Sequence, residues 1–128
     1  MKNVNLKVGD QLRVKGFVPA GADRFIINLG TGERDLALHF NPRFQVHGMA
    51  LVVCNDLTAG HWGEEKRQHC PVICSGQNIK MVFKLTGDRF RVELPDGQEV
   101  DFPNRRGIQV ISYVSVERDL KLSALEIF

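Results

Sequence analysis

The chain has 128 residues, of which 43% are hydrophobic and 25% are charged. This size and balance are typical of one folded domain, so we expect residues 1–128 to form a single domain without long disordered segments. The formal net charge of +2, with basic residues scattered among acidic ones, argues against a nucleic-acid-binding surface, and no apolar run approaches the roughly 20 residues that insertion into a membrane requires.

The N-terminal segment, residues 1–8, alternates polar and apolar side chains. Alternation with a period of two is typical of a half-buried β-strand. It differs from the continuous apolar core of a signal peptide. We therefore expect the chain to be made on cytosolic ribosomes and not to enter the usual secretory route.

The same period of two recurs along the chain, and no stretch shows a convincing helical stripe. Turn signals separate the runs, and Pro95-Asp96-Gly97 between two alternating runs predicts a hairpin. About ten short strands predict an all-β fold, a sandwich or a jelly roll. The predicted strands cover residues 4–8, 12–15, 24–29, 36–40, 50–55, 80–85, 90–94, 99–102, 108–116 and 120–128.

The last of these runs has an irregular pattern. On a regular strand Leu120, Leu122 and Ala124 share one face. Leu125 and Ile127 would then point to the other face, which would indicate a covered edge or a self-association patch. A β-bulge would instead turn both side chains inward. The pattern favours neither interpretation over the other.

The three cysteines Cys54, Cys70 and Cys74 are odd in number, which indicates free thiols in a reducing compartment. Cys70 and Cys74 lie close to His69, and these residue types can bind zinc. Because no second ligand pair lies at matching spacing, we expect no metal site and two small residues packed in or beside a strand.

Three polar side chains stand at the end of the predicted strand 36–40. His39, Asn41 and Arg43 are spaced at i, i+2 and i+4, so an extended chain presents all three on one face. Phe40 points to the opposite, buried face, and Pro42 is tolerated at a strand end. The segment therefore predicts a polar platform on an apolar core.

A second polar group follows in the chain. Asn55 ends an apolar strand, and the single tryptophan, Trp62, lies in a segment without apolar neighbours, so we expect its ring to be exposed on a binding face. Glu65 and Arg67 are spaced at i and i+2 and should face the same way. A carboxylate placed between Arg43 and Arg67 would hold both guanidinium groups.

An exposed indole beside planar polar groups suits a sugar. One face of galactose carries C–H groups because its C4 hydroxyl is axial, so that face can lie flat on an indole ring. The hydroxyls at its edges need fixed donors and acceptors. An enzyme acting on sugars is disfavoured, because Glu64 and Glu65 are adjacent and face opposite ways on a strand, whereas glycosidases use paired carboxylates.

The motifs H-F-N-P-R at 39–43, V-C-N at 53–55 and W-G-x-E-x-R at 62–67 resemble the carbohydrate-recognition signature of the galectins. Residues 5–9, 25–30, 94–97 and 102–105 resemble galectin framework segments in the same order. The resemblance covers nearly the full chain. It implies a two-sheet antiparallel jelly-roll β-sandwich and calcium-independent binding of β-galactosides such as lactose and N-acetyllactosamine, without a cofactor.

The resemblance also implies roles for the groove residues. His39, Asn41 and Arg43 would bind the axial C4 hydroxyl and ring oxygen of galactose, and Trp62 would stack under the sugar. Asn55 would hold the C6 hydroxyl together with Glu65.

The second sugar, glucose or N-acetylglucosamine, would be reached by Arg43, Glu65 and Arg67. His47 lies near the extended groove of the family and is a further, weaker candidate. The segment 68–74 departs from the family pattern, which has aromatic residues there, and we expect it to repack a strand under the site.

The resemblance further implies partners and a location. The partners would be β-galactoside glycans of glycoproteins or glycolipids and a second copy of the chain, with Val4, Leu6, Leu125 and Ile127 at the homodimer interface. The location would be cytoplasmic, and extracellular by a route that needs no signal peptide. The alternative function is a galectin-fold protein-interaction module with weak or altered sugar binding.

Overall fold

The computed structural model describes residues 2–45 and 49–128, which form twelve β-strands. No helix in this part of the chain is long and apolar enough to span a membrane. The strands are β1 (Lys2–Lys7), β2 (Gln11–Val18), β3 (Phe25–Gly32), β4 (Asp35–Phe44), β5 (Met49–Thr58), β6 (His61–Trp62), β7 (Lys66–Cys74), β8 (Gln77–Leu85), β9 (Arg89–Glu93), β10 (Glu99–Pro103), β11 (Val110–Arg118) and β12 (Lys121–Ile127).

The strands form two antiparallel sheets, which confirms the predicted all-β sandwich. The seven-stranded sheet has the order β1-β11-β3-β4-β5-β6, and β7 also pairs with β5. The five-stranded sheet has the order β10-β9-β8-β2-β12. The first and last strands of the chain therefore lie at sheet edges, and β4 and β5, which carry the predicted site, are neighbours inside the larger sheet.

The core lies between the sheets and is rich in phenylalanine. On β2 the buried residues alternate with more exposed ones, as the period of two requires. Phe40 of β4 meets Phe83 of β8 edge to face, with ring centroids 5.2 Å apart. Burial of each such ring contributes roughly 1.5–3 kcal/mol. Phe40 thus fixes the strand whose other face carries the polar platform.

The predicted hairpin at Pro95-Asp96-Gly97 is confirmed. β9 and β10 pair in regular register, with Phe90 opposite Phe102. Gly97 has a φ of 89°, a value that glycine adopts without steric cost. The turn closes with a hydrogen bond of 2.9 Å from the Gly97 amide to the Leu94 carbonyl.

Two strands, β6 and β7, are absent from the sequence prediction. The first four residues of β7, Lys66 to His69, are all exposed, so the segment has no apolar alternation. Its extended form depends on pairing with β5, where Arg67 lies opposite Val53. Segment 68–74 lies in β7, which pairs with β5, while the repacking of a strand under the site stays a prediction.

The irregular C-terminal run contains a β-bulge. The register shifts between Leu122 and Ala124, so that Leu125 lies opposite Val14 and Ile127 opposite Leu12. Directly opposite residues share a face of the sheet, and Val14 and Leu12 are fully buried. The inward interpretation is therefore correct, although Ile127 remains 42% exposed because β12 is an edge strand.

The three cysteines are free thiols. Burial raises the pKa of the Cys54 thiol to about 12 and that of the Cys70 thiol to about 11. Cys74 is half-buried, and its Sγ donates to the Pro71 carbonyl at 3.0 Å. In the described part of the chain, no group of three or more His, Cys, Asp and Glu side chains is placed to hold a metal ion.

Candidate functional site

A cavity of about 390 Å³ opens on the outer face of the seven-stranded sheet. Strands β4, β5 and β6 and the segment after β6 contribute its walls. Five of the predicted site residues line it, together with one valine: His39, Arg43, Val53, Asn55, Trp62 and Glu65. Side chains that are far apart in the chain are thus brought to one place by strand pairing.

The β4 platform has the predicted orientation, but its members differ in burial. His39 lies opposite Asn55 of β5, and both face the cavity. Asn41 is only 2% exposed and does not line the cavity. Its Nδ2 donates to the Phe25 carbonyl at 2.9 Å, and its Oδ1 accepts from Arg43 Nε at 3.0 Å. Asn41 therefore anchors the platform and orients the Arg43 guanidinium.

Trp62 is 55% exposed, as its polar surroundings predict. Its ring meets the His39 imidazole edge to face, with centroids 4.7 Å apart. Behind it, the Gly63 amide donates to the Asp56 carbonyl at 3.0 Å, and Asn55 Nδ2 donates to the Gly63 carbonyl at 3.1 Å. These bonds hold the indole at the side of the cavity, with more than half of the residue open to solvent.

Glu65 and Arg67 form an ion pair with 2.7 Å between Oε2 and Nε, as their i and i+2 spacing predicts. The expected second pair, between Glu65 and Arg43, is not present among the ion pairs of the described residues. Arg43 instead uses its Nε for Asn41, because both project from the same face of β4 two residues apart. Arg67 lies outside the cavity lining and reaches the site through Glu65.

Val53 was missed by sequence reasoning. It is 2% exposed and lies in the floor of the cavity, opposite both Asn41 and Arg67. Its spacing of two from Asn55 placed it on the polar face, which is a signal the sequence did contain. An apolar residue there places C–H groups between the polar side chains of the cavity.

Three further residues, Asn28, Ser115 and Glu117, support the site from behind. His39 Nδ1 lies 2.7 Å from Asn28 Oδ1. Asn28 Nδ2 donates to Glu117 Oε2 at 2.8 Å and to Ser115 Oγ at 2.9 Å. Burial lowers the pKa of His39, an effect that Arg43 reinforces and the Glu117 carboxylate opposes. No sequence signal marked these residues, because Glu117 lies 89 positions from Asn28.

The surface continues past Arg43 into a second concavity of about 540 Å³. Its charged lining comprises Arg24, Arg118, Asp23 and Asp119, besides Arg43 itself. His47, the weaker sequence candidate, lies outside the described residues.

The arrangement suits reversible binding of a polyhydroxylated ring. Amide, imidazole and guanidinium groups offer fixed donors and acceptors, and the open indole offers an apolar face. Glu65 is the only carboxylate among the six residues that line the cavity, so the lining offers no acid–base pair for glycoside hydrolysis. A β-sandwich with such a groove on one sheet is a sugar-binding architecture, that of a lectin.

Comparisons with known proteins define the family. A family model described as galactoside-binding lectin matches residues 2–127. Human galectin-2 is 39% identical over 127 residues, covering 99% of this chain and 94% of the relative. The chain belongs to the galectin family, whose members are non-enzymatic lectins.

Two solved structures match throughout. CG-16, a homodimeric agglutinin from chicken liver, has a TM-score of 0.92 and 34% identity, covering 100% of this chain and 97% of its own. Congerin II, solved with lactose and MES bound, has a TM-score of 0.92 and 26% identity, covering 99% and 96%.

Proposed function

We propose that the protein binds β-galactosides such as lactose and N-acetyllactosamine on glycoproteins or glycolipids, without calcium, and that residues 1–128 act as one carbohydrate-recognition domain. The observation that carries this proposal is the half-exposed Trp62 ring, held beside His39 over a cavity lined by planar polar groups. A galactose ring presents its C–H face to an indole, because the C4 hydroxyl is axial.

The polar groups have separate roles in this proposal. His39 and Arg43 bind the axial C4 hydroxyl and the ring oxygen. The buried Asn41 keeps Arg43 in place, and the Nδ2 proton that Phe25 does not use is offered to the C4 hydroxyl. Asn55 and Glu65 hold the C6 hydroxyl. Glu65, aligned by its 2.7 Å pair with Arg67, shares the second sugar with Arg43.

The lactose-bound state of congerin II supports lactose as a ligand of this fold. The geometry of the present cavity adds independent support, since its polar residues are fixed by contacts within the sheet before any ligand binds. A fixed arrangement favours binding, because few side chains lose freedom.

A homodimer that crosslinks glycoconjugates is the second part of the proposal. The edge strand β12 exposes Leu122 and Ile127 by 44% and 42%, although both lie on the core side of their sheet. A second copy would cover these apolar groups, and the partly buried Val4 and Leu125 are the other residues that we assign to the interface. Leu6 is fully buried within one chain and is therefore removed from the proposed interface. The homodimeric CG-16 supports this assembly.

We also propose a cytoplasmic and extracellular location. Three free thiols are typical of a reducing compartment, and the glycan ligands lie outside the cell.

The experiment that tests the sugar proposal compares lactose with cellobiose by isothermal titration calorimetry. These disaccharides differ only in the configuration of the C4 hydroxyl on the non-reducing ring. We expect saturable binding of lactose, unchanged by a calcium chelator, and no measurable binding of cellobiose. Equal affinity for the two would contradict recognition of the axial hydroxyl, and absence of lactose binding would favour a protein-interaction module with an altered groove.

A further inference from the structure

We propose that Glu117 is a positioning residue of the sugar site, because it fixes Asn28 in the orientation that keeps the proton of His39 on Nδ1 and leaves Nε2 as an acceptor for the ligand. This inference rests on the proposed function, since it assigns a task to a group behind the binding face. Glu117 itself does not line the cavity.

The register of four strands places the participants in one row. Ser115 of β11 lies opposite Asn28 of β3, which lies opposite His39 of β4, which lies opposite Asn55 of β5. Directly opposite side chains in antiparallel strands contact one another on the same face. Glu117 stands two residues beyond Ser115 and therefore shares this face.

Glu117 sets the direction of the hydrogen bonds along this row. A carboxylate accepts hydrogen bonds and does not donate them. Its Oε2 receives Asn28 Nδ2 at 2.8 Å and Ser115 Oγ at 3.1 Å, and Ser115 Oγ accepts the second Asn28 contact at 2.9 Å. The amide nitrogen of Asn28 must therefore face β11. A reversed amide would put its oxygen against the carboxylate, with no proton between them.

The orientation of Asn28 determines the tautomer of His39. With its nitrogen toward Glu117, the amide oxygen faces His39 Nδ1 at 2.7 Å. An amide oxygen only accepts, so Nδ1 must carry the proton. In the neutral ring, Nε2 then has a lone pair. Asn28 is only 6% exposed, so water offers little competition for these bonds.

The consequence for the ligand is a defined direction of hydrogen bonding. Nε2 accepts from a sugar hydroxyl, and the oxygen of the same hydroxyl is then free to accept from the Arg43 guanidinium, which has no acceptor role. The other tautomer would present Nε2–H and Arg43 as two donors to one hydroxyl, and the hydroxyl proton would have no partner.

The test is long-range ¹H–¹⁵N NMR of the His39 ring in the full chain without ligand, in parallel with lactose titrations. We expect the Nδ1–H tautomer in the parent. Glu117→Ala should raise the Nε2–H population and weaken lactose binding about tenfold. Glu117→Gln keeps an oxygen that can accept from Asn28, so it should restore tautomer and affinity to within about twofold of the parent.

Glu99→Ala serves as the matched control, because it removes a strand carboxylate from the other sheet, where Glu99 pairs with Lys84, and parent behaviour is expected. An Nε2–H tautomer in the parent, or an unchanged tautomer in Glu117→Ala, would overturn the proposal. The tautomer is read without sugar, so failure of lactose binding in the parent would refute the proposed function alone. Thermal unfolding of each variant separates loss of fold from loss of positioning.

Discussion

At the scale of single residues, the groove combines side chains with distinct energetic roles. Trp62 projects from a two-residue strand and contacts the His39 ring, but more than half of it is open to solvent. Asn41, by contrast, is buried and makes two hydrogen bonds within the protein. Trp62 should therefore contribute to ligand binding more than to folding, and Asn41 to both.

We expect Trp62→Ala to reduce lactose binding below the range of calorimetry. Its free energy of unfolding should stay within about 0.5 kcal/mol of the parent, since an exposed side chain contributes little core energy. Trp62→Phe keeps an aromatic face and should bind lactose weakly but measurably. Urea denaturation measures the stability. Near-parent affinity in the alanine variant would exclude stacking on the indole.

The pH dependence of binding is set by His39. Its pKa lies below the ordinary value of 6.5, mainly through burial, with Arg43 lowering it further and Glu117 raising it. The proposed contact requires the neutral ring, so lactose affinity should fall to half of its plateau value at a pH below 6.5. Calorimetry from pH 8 to 5 checks this, and a midpoint at or above pH 6.5 would contradict it.

Glu117→Gln removes the charge that raises the pKa of His39, so the fall in affinity should move to lower pH. The free energy of unfolding should also decrease as the pH falls. The native state binds fewer protons than the unfolded chain below pH 6.5, so acidification through this range destabilises it.

Much of the site could be predicted at the residue scale because strand periodicity determines which side chains share a face. His39 and Arg43 face the same cavity, as their spacing predicts, and Trp62 is exposed, as its polar neighbours predict. The Arg43–Glu65 pair was wrong, because spacing does not reveal that Arg43 meets Asn41 first. The contact between Asn28 and Glu117 could not be predicted from the sequence, because it depends on the pairing of β11 with β3.

At the scale of elements, the site depends on how β5 continues into β6. Asp56 is a buried residue near the end of β5. Its backbone carbonyl accepts the Gly63 amide, and its carboxylate forms an ion pair of 3.6 Å with Arg105. A Cβ on Gly63 would collide with Asp56 Oδ1 and lie 3.1 Å from an Arg105 nitrogen. The strand end thus requires glycine for space, beside the residue that carries the indole.

We expect Gly63→Ala to lower the free energy of unfolding by about 1–3 kcal/mol and to weaken lactose binding, because Trp62 and Asn55 are attached to the displaced backbone. Gly87→Ala is the matched control, since no atom lies within 4 Å of its added Cβ. It should leave affinity unchanged. Urea denaturation and calorimetry measure the two quantities. If the two variants behaved alike, the packing argument would be wrong.

Elements with an apolar face were predicted from the sequence, and those without one were not. β9 and β10 alternate and meet at a glycine turn, so both strands and their hairpin were correct. β7 begins with four exposed residues, and β6 is only two residues long. Neither segment therefore shows the alternation of apolar and polar residues from which a strand can be predicted. The bulge in β12 was one of two possibilities, and only pairing with β2 decides between them.

At the scale of the whole molecule, both chain ends form edge strands, β1 in one sheet and β12 in the other. Edges expose unpaired backbone groups that invite association. Because β12 exposes apolar residues, we expect self-association at the β12 edge rather than at the β1 edge. Such a dimer would carry two grooves, which crosslinking requires.

We expect the parent to sediment as a dimer in analytical ultracentrifugation and Ile127→Asp to sediment as a monomer, because a charge would be buried in the apolar contact. Phe17→Asp is the control. Phe17 is 36% exposed but stands on the solvent face of the interior strand β2, so its variant should remain dimeric.

Lactose affinity per chain should be equal in both variants, while agglutination of galactoside-coated beads should be lost only with Ile127→Asp. A dimeric Ile127→Asp would place the interface on another surface.

Burial of the Cys54 and Cys70 thiols should slow their oxidation by air or peroxide. Oxidants attack the thiolate, and at pH 7 a thiol with a pKa of about 11 is ionised in roughly one molecule in 10⁴. Damage should therefore begin at Cys74, at the end of β7 remote from Arg67. The described residues contain no disulfide, so resistance to oxidation depends on the burial of Cys54 and Cys70. We expect this burial to keep the proposed ligand-binding surface intact in an oxidising medium.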